Sequence, residues 1–288
     1  MHGVDTVDWK LIGTCNLRCP HCYGPPKTER ALPLEELFAI IAKFKALSVR
    51  RVVLTGGEPL LVPGIGEVMC RLRTEGMEVA LSTNTSFFSK FQSEIERHVS
   101  SLNIPLDGST SAIHQRSRAD ERTFFSCLEV LRYYRENPGR RPPLLRVGTV
   151  YSRATAGDFL AIANLLEPFA SAITTWKIYE LIDYEYQQDL RRPLLHARGD
   201  FESEMIALMQ HSRFSGKIVV ARASERDRAY FMVNPRGQLV LPTDVGGVTH
   251  EVVLGDTLTD SPQELLQRWG ESVDSRNYSE NHQRHYGS

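Results

Sequence analysis

Two periods of apolar residues alternate along the first two thirds of the chain. Short apolar or β-branched runs occupy 7–13, 51–57, 79–85, 101–108, 144–152 and 172–182. Between them, from Pro33 onward and over about 64–76, 87–98, 124–136 and 157–169, apolar residues recur at three- and four-residue spacings. The first kind of run suits buried strands and the second amphipathic helices. Repeated strand–helix units imply parallel strands with helices outside them. The predicted fold class is α/β, a partial (β/α)6 TIM-like barrel with a small C-terminal α+β extension. Loops at the C-terminal ends of its strands would then carry the function.

The pattern changes near Asp183. Residues 184–200 are polar and arginine-rich and read as a loop, and 201–212 as a helix. KIVVAR and AYFMVNPRGQLVLP follow, the second reading as two short strands around an Asn234-Pro235-Arg236-Gly237 turn. Ser261, Pro262 and Glu264 predict a capped helix start. The polar tail from Glu271 predicts a frayed end. The expected division is a core over 1–183, a substrate-facing extension over 184–270 and a disordered tail over 271–288.

With 41% hydrophobic and 24% charged residues among 288, the composition is that of a globular chain able to bury a core without disulfides. A formal net charge of -1 gives no general attraction to nucleic acid or membrane. No apolar run reaches the roughly eighteen residues of a membrane span. The segment MHGVDTVDWK lacks a basic stretch followed by an apolar one, so no secretory signal is expected. The expectation is a cytoplasmic protein with neither nucleic acid nor membrane as partner.

The cysteines add chemistry. Cys15, Cys19 and Cys22 form a C-x3-C-x2-C loop directly after the first strand. Thiolates suit iron–sulfur clusters, zinc and copper(I). Structural zinc asks for four protein ligands, yet no second cysteine pair follows, and His21 is adjacent to Cys22 and poorly placed to share its metal. A cubane on three cysteines leaves one iron open to a bound ligand. Cys70 and Cys127 have apolar neighbours in predicted helices and read as buried packing residues.

This loop resembles the cysteine signature of the radical S-adenosylmethionine (SAM) superfamily, with His21 where many members carry another aromatic residue. The resemblance implies a [4Fe–4S] cluster on Cys15, Cys19 and Cys22, with SAM chelating the open iron. It further implies an electron donor such as flavodoxin or ferredoxin, and cleavage of SAM to a 5′-deoxyadenosyl radical that takes hydrogen from the substrate. The backbone of His21 would lie near the adenine. Leu54-Thr55-Gly56-Gly57-Glu58-Pro59 is similar to the family's GGEP motif, which assigns Gly56, Gly57 and Glu58 to the methionyl amino group. Ser82-Thr83-Asn84 is similar to the family's Thr-Asn-Gly and adds Asn84, with Thr85 in the place of the glycine. Leu106-Asp107-Gly108, His114 and Arg118 resemble a further segment in which a serine and an arginine touch SAM. Pro105 stands where that serine would be, leaving Asp107 and Arg118 as candidates.

Arg153, after the fifth strand, is a candidate clamp for the SAM carboxylate. Arg118 and Arg153 each have a competing reading as solvated surface charges. Lys177, in an otherwise apolar strand, is a candidate for an anionic substrate, against a stem that carries its head to solvent. Trp176 reads as core.

The resemblance covers 7–182, and no cysteine follows Cys127. The chain therefore looks like a single-cluster enzyme without the SPASM-type extension. The expected substrate is an organic small molecule or a peptide of specialised metabolism, with Cys127, Cys70 and Tyr151 as candidate hydrogen donors. The competing class is a non-catalytic iron–sulfur or zinc-binding redox regulator.

Overall fold

The computed structural model of the chain describes residues 3–138, 144–196, 198–211 and 214–286. Six strands follow the expected order: β1 (Thr6–Lys10), β2 (Arg51–Thr55), β3 (Glu78–Ser82), β4 (Ser101–Pro105), β5 (Leu144–Tyr151) and β6 (Ile173–Glu180). Each pairs in parallel with the next. The helices between them are α1 (Leu34–Ala46), α2 (Ile65–Thr74), α3 (Phe88–His98), α4 (Ser111–Arg118), α5 (Arg122–Glu136) and α6 (Phe159–Leu166). Only α4 went unpredicted. Its buried positions are His114 and Ser117, so it has no apolar stripe to betray it.

Helices cover the outer face of the sheet. Trp9 of β1 meets Phe44 of α1 edge-on at 5.2 Å, and Trp176 of β6 stacks on Phe159 of α6 at 6.2 Å. Trp176 is core, as expected, and its Nε1 donates to Thr149 Oγ1 at 2.8 Å. Since alternate strand residues point to opposite faces, Asp8 and Lys10 of β1 turn inward. Cys127 is buried as expected, but Cys70 is exposed. On α2 the buried stripe is Ile65, Val68, Met69 and Leu72, and Cys70 falls off that face.

The C-terminal third extends the same sheet at both edges. β7 (Ile218–Ala221) adds in parallel beside β6, and β8 (Met232–Val233) adds in parallel beside β1. β9 (Gln238–Val245) and β10 (Val248–Asp256) complete the β8 edge as antiparallel strands. The strand order is β10-β9-β8-β1-β2-β3-β4-β5-β6-β7, an open sheet of the TIM-like kind. The segment leaving β6 crosses the gap between its edges. Thr249 N on β10 donates to Asp183 O at 3.0 Å, and Glu185 N donates back to Thr249 O at 2.9 Å. A buried ion pair between Lys10 and Glu251 joins β1 to β10 beside this crossing.

Two further expectations, besides that for Cys70, do not hold. The segment expected as loop over 184–200 contains α7 (Gln188–Arg191) and the start of α8 (Arg198–His211). The tail expected to fray beyond 271 is largely helical: α9 (Pro262–Ser272) is followed by α10 (Ser275–Tyr286). One aromatic anchor holds this polar helix. Tyr278 packs on Trp269 at 4.9 Å, and its hydroxyl accepts from Asp5 N at 3.1 Å. The expected capping of α9 is present, with Glu264 N donating to Ser261 Oγ at 3.2 Å. No described helix is long and apolar enough to cross a membrane.

Candidate active site

The cysteine loop fills the long connection between β1 and α1. Its turns are closed by backbone bonds, from Gly13 N to Glu29 O at 2.9 Å and from Cys22 N to Cys19 O at 3.1 Å. The end of β2 runs directly against it: Gly57 N donates to Ile12 O at 2.5 Å and Glu58 N to Thr14 O at 3.0 Å. A Cβ on Gly57 would strike the carbonyl oxygens of Gly13 and Thr14. Gly56 has φ 129°, and a Cβ there would strike the backbone of Ile12. The glycine pair is thus required first by backbone crossing backbone.

Cys15, Cys19 and Cys22 line one cavity of about 200 Å³, together with Gly56, Asn84 and Arg118. None is in a disulfide. Burial pushes the Cys19 thiol up to about 11 and raises that of Cys15. Ligation by metal reverses that preference, because bound thiols lose their protons. No group of three His, Cys, Asp or Glu side chains among the described residues gathers around a single ion. A cubane instead offers each cysteine its own iron at a separate corner. Three free thiols on one cavity wall, facing the polar side chains of Asn84 and Arg118, fit such a cluster with a ligand beside it.

Asn84 Nδ2 donates to Asn16 Oδ1 at 2.8 Å and lies 3.7 Å from Cys15 Sγ. Thr85, in the place of a glycine, takes φ 69°. Its hydroxyl donates to Asn84 O at 2.6 Å and lies 2.7 Å from Ser126 Oγ, which holds this β-branched residue in a left-handed conformation. His21 is buried at the same cavity, its Nδ1 3.0 Å from Ser117 Oγ. Burial, with the Arg118 charge beside it, pushes its pKa down to about 4. The ring is neutral near pH 7.

Three expected contacts are placed elsewhere. Glu58 is fully buried outside the cavity wall. Its carboxylate accepts from Thr83 Oγ1 at 2.7 Å, Asn84 N at 2.8 Å and Leu60 N at 3.1 Å, tying the end of β2 to the end of β3. Burial pushes its pKa up to about 7 against those bonds. Asp107 is also fully buried. It pairs with Arg118 Nε and accepts from Ser117 Oγ at 3.2 Å and Val150 N at 2.7 Å. It orients the guanidinium that reaches the cavity and does not reach it itself. Arg153 is exposed on the turn after β5 and does not line the cysteine cavity. His114 is structural, its Nδ1 accepting from Asp107 N at 3.1 Å.

A larger cavity of about 420 Å³ adjoins the first. The two share a wall that includes Tyr23, Thr55, Ser82, Asn103, Tyr179 and Arg226. Asp8 and Lys177 line the larger one alone. Lys177 faces the cavity, as its odd place in an apolar strand suggested. Burial pushes the Asp8 carboxyl up to about 6 and the Lys177 amine down to about 7.

The comparisons agree with this geometry. The family model of the radical SAM superfamily matches residues 9–166. The chain belongs to the radical SAM superfamily. The cofactors of this family are a [4Fe–4S] cluster and SAM. Among curated proteins, a GTP 3′,8-cyclase of Lactiplantibacillus plantarum is 36% identical over 111 residues, 36% of this chain and 33% of the relative. A GTP 3′,8-cyclase of Pseudomonas entomophila is 35% identical over 127 residues, 42% of this chain and 37% of the relative. The match spans about a third of the length of these relatives. Among solved structures, Streptococcus suis SuiB bound to S-adenosylmethionine superposes with a TM-score of 0.68 at 13% identity, covering 97% of this chain and 68% of that one. The structure titled anSMEcpe with bound AdoMet and Cp18Cys peptide gives 0.69 at 14%, covering 96% and 84%. These two likenesses concern the fold.

Within this radical SAM fold, sequence reasoning missed Asp8, Tyr23, Tyr179, Arg226 and Tyr230 on the larger cavity and Arg191 beneath the loop. Arg191 is fully buried and donates to the carbonyls of Cys22 and, at 2.7 Å, Tyr184. Asp8 alone had a signal, as an acid on the inward face of a buried strand. The proposed hydrogen donors fall off the cavities: Cys127 Sγ sits 2.7 Å from Pro105 O, and Tyr151 packs edge-on against Phe201 at 5.0 Å.

Proposed function

We propose that the chain is a radical SAM enzyme acting on a small organic molecule held in the larger cavity. Cys15, Cys19 and Cys22 are the cluster ligands in this reading. SAM lies in the smaller cavity against Gly56, Asn84, Arg118 and the neutral ring of His21. The observation that carries it is the shared wall: the cavity bearing the three thiols adjoins the one bearing Lys177 and shares lining residues with it, so groups bound in the two would lie side by side.

The cofactors, when bound, supply the electron and the carbon radical that break an unreactive C–H bond. The protein's part is to bind, orient and exclude water. Arg118, held by Asp107, presents a fixed cation to the SAM carboxylate. Asn84 offers its amide beside Cys15. Asp183 and Tyr184 of the crossing segment line the larger cavity and cover it. Its volume suits a small molecule, since ligand pockets usually run to about 300–1,000 Å³. The matched relatives, cyclases of GTP by name, support that substrate class over a peptide. A flavodoxin- or ferredoxin-like donor in a reducing cytoplasm completes the scheme.

The test is anaerobic. The cluster is reconstituted, SAM and dithionite are added, and 5′-deoxyadenosine is assayed beside a variant with Cys15, Cys19 and Cys22 all changed to Ala. Release by the native protein alone is the expected result. A loaded cluster whose EPR spectrum is indifferent to SAM, and which yields no 5′-deoxyadenosine, defeats the reading.

A further inference from the structure

The larger cavity ends on charges that have no ion-pair partner among the described residues. Lys177 projects into it from β6 and is half-buried. Among the described residues its Nζ makes no hydrogen bond and no ion pair; it sits over the Tyr179 ring, 4.6 Å from the centroid. Arg226 enters from the connection after β7. One guanidinium nitrogen donates to Glu180 O, while Nε is buried with no hydrogen-bond partner. Asp8 faces the same space from β1. Its carboxylate makes no hydrogen bond among the described residues and does not meet Lys177 at ion-pair distance.

The other carboxylates on this cavity are different. Asp183 accepts from Arg192 Nε at 3.1 Å, Asp227 from Asp244 N at 2.8 Å, and Asp244 from Gly247 N at 3.0 Å. The fold satisfies these three and leaves Lys177, Arg226 and Asp8 open. A cation drawn out of water without a partner is costly, and a protein normally pairs it or keeps it in solvent. Here two cations converge on one cavity, and among the described residues no carboxylate lies at ion-pair distance from either.

We propose that Lys177 and Arg226 form an anion subsite that takes the carboxylate or phosphate of a small organic substrate, with Asp8 accepting a hydrogen bond from the same molecule. This rests on the larger cavity being the substrate site. Tyr23, Tyr179 and Tyr230 line the space around the charges and offer faces for the organic body. Tyr179 and Arg226 also belong to the wall shared with the cysteine cavity. An anion anchored at Lys177 therefore leaves the rest of the molecule extended toward the cysteine loop, where hydrogen abstraction would occur. The lowered pKa of Lys177 agrees, because an arriving anion restores the proton that burial disfavours.

The experiment titrates inorganic phosphate and, separately, malonate into the full-length, cluster-loaded protein by calorimetry. The same titrations are repeated on the variant lacking all three loop cysteines. Saturable binding of at least one anion to both proteins is expected, so a failure of the cluster assignment cannot masquerade as a failure of the subsite. Lys177→Met and Arg226→Met each weaken binding by about tenfold, the loss of one charge-assisted contact. Lys177→Arg retains binding, Asp8→Asn tightens it by removing an unpartnered negative charge, and Arg97→Met on the outer helix α3 leaves it unchanged. Stronger binding of phosphate than malonate, or the reverse, decides which group the substrate carries. The proposal is overturned if neither anion saturates on the native protein, or if Lys177→Met and Arg226→Met, both folded by circular dichroism, bind as the native protein does.

Discussion

The two ends of the site are built on opposite terms. At the cysteine end the fold satisfies its buried carboxylates: Glu58 takes three donors, and Asp107 takes Arg118, Ser117 and Val150. At the far end the Asp8 carboxylate and the Lys177 amine have no such partners among the described residues. A site that must hold one cofactor pair in one geometry gains from groups already locked by the protein. A site that must recognise a substrate gains from groups left for the substrate to complete.

The sharpest way to break this comparison is at the backbone crossing. Gly57→Ala should cost about 3 kcal/mol or more, because the new methyl meets main-chain carbonyls that have no rotamer to yield. Gly148→Ala is the control, since its Cβ would meet the Tyr179 ring at 3.4 Å and the Ile104 carbonyl oxygen at 3.9 Å, both without a clash, and should cost under about 1 kcal/mol. Urea midpoints compare the two, and equal losses would show the crossing to be more pliant than described.

Next comes the buried pair that joins β1 to the edge strand β10. Lys10→Met and Glu251→Met should each cost about 3 kcal/mol by leaving a buried charge alone, while the double variant should recover most of that loss. A double variant as unstable as the sum of the singles would mean the two residues act independently.

Asp107→Asn should act through Arg118. It removes the charge that holds a guanidinium at the cavity, so the apparent KM for SAM should rise about tenfold with kcat little changed. A fall in kcat at constant KM would place Asp107 in the chemistry itself.

The pH dependence sharpens the far end. The charged groups acting on Lys177 are Asp8 on β1, Arg146 on β5 and Arg226, with the Tyr179 ring beside it. Its folded pKa lies below that of the unfolded chain, so the amine gains its proton as pH falls through about 7. Asp8, pushed up to about 6, loses its charge just below that. Both changes favour an anion. Malonate, which stays mostly ionised over this range, should therefore bind more tightly from pH 8 to pH 6, by at most about tenfold per unit for each proton the protein takes up. Lys177→Arg should flatten the upper part of this profile, and a profile identical to the native one would remove Lys177 from the subsite.

The smallest effect is expected at Thr85. Replacement by glycine relieves a left-handed conformation but gives up the hydroxyl contacts with Ser126 and Cys127. The two should cancel to within about 1 kcal/mol by thermal melting. A larger loss would show the hydroxyl network to be the stronger of the two.

The sequence by itself determined six strand–helix units, the three-cysteine loop, the glycine pair and the capped start of α9. Each is a local pattern, set by residues within a few positions of one another, and local spacing survives in any fold that uses it. Four things lay beyond that reach: that Glu58 and Asp107 would be consumed inside the protein, that Arg153 would turn outward, that the polar tail would dock through Tyr278, and that Asp8, Lys177 and Arg226 would face one cavity. Those three charges come from β1, β6 and the connection after β7, far apart in the chain. Only the curling of the sheet brings them onto one cavity, and that curvature belongs to the packed whole rather than to any one segment.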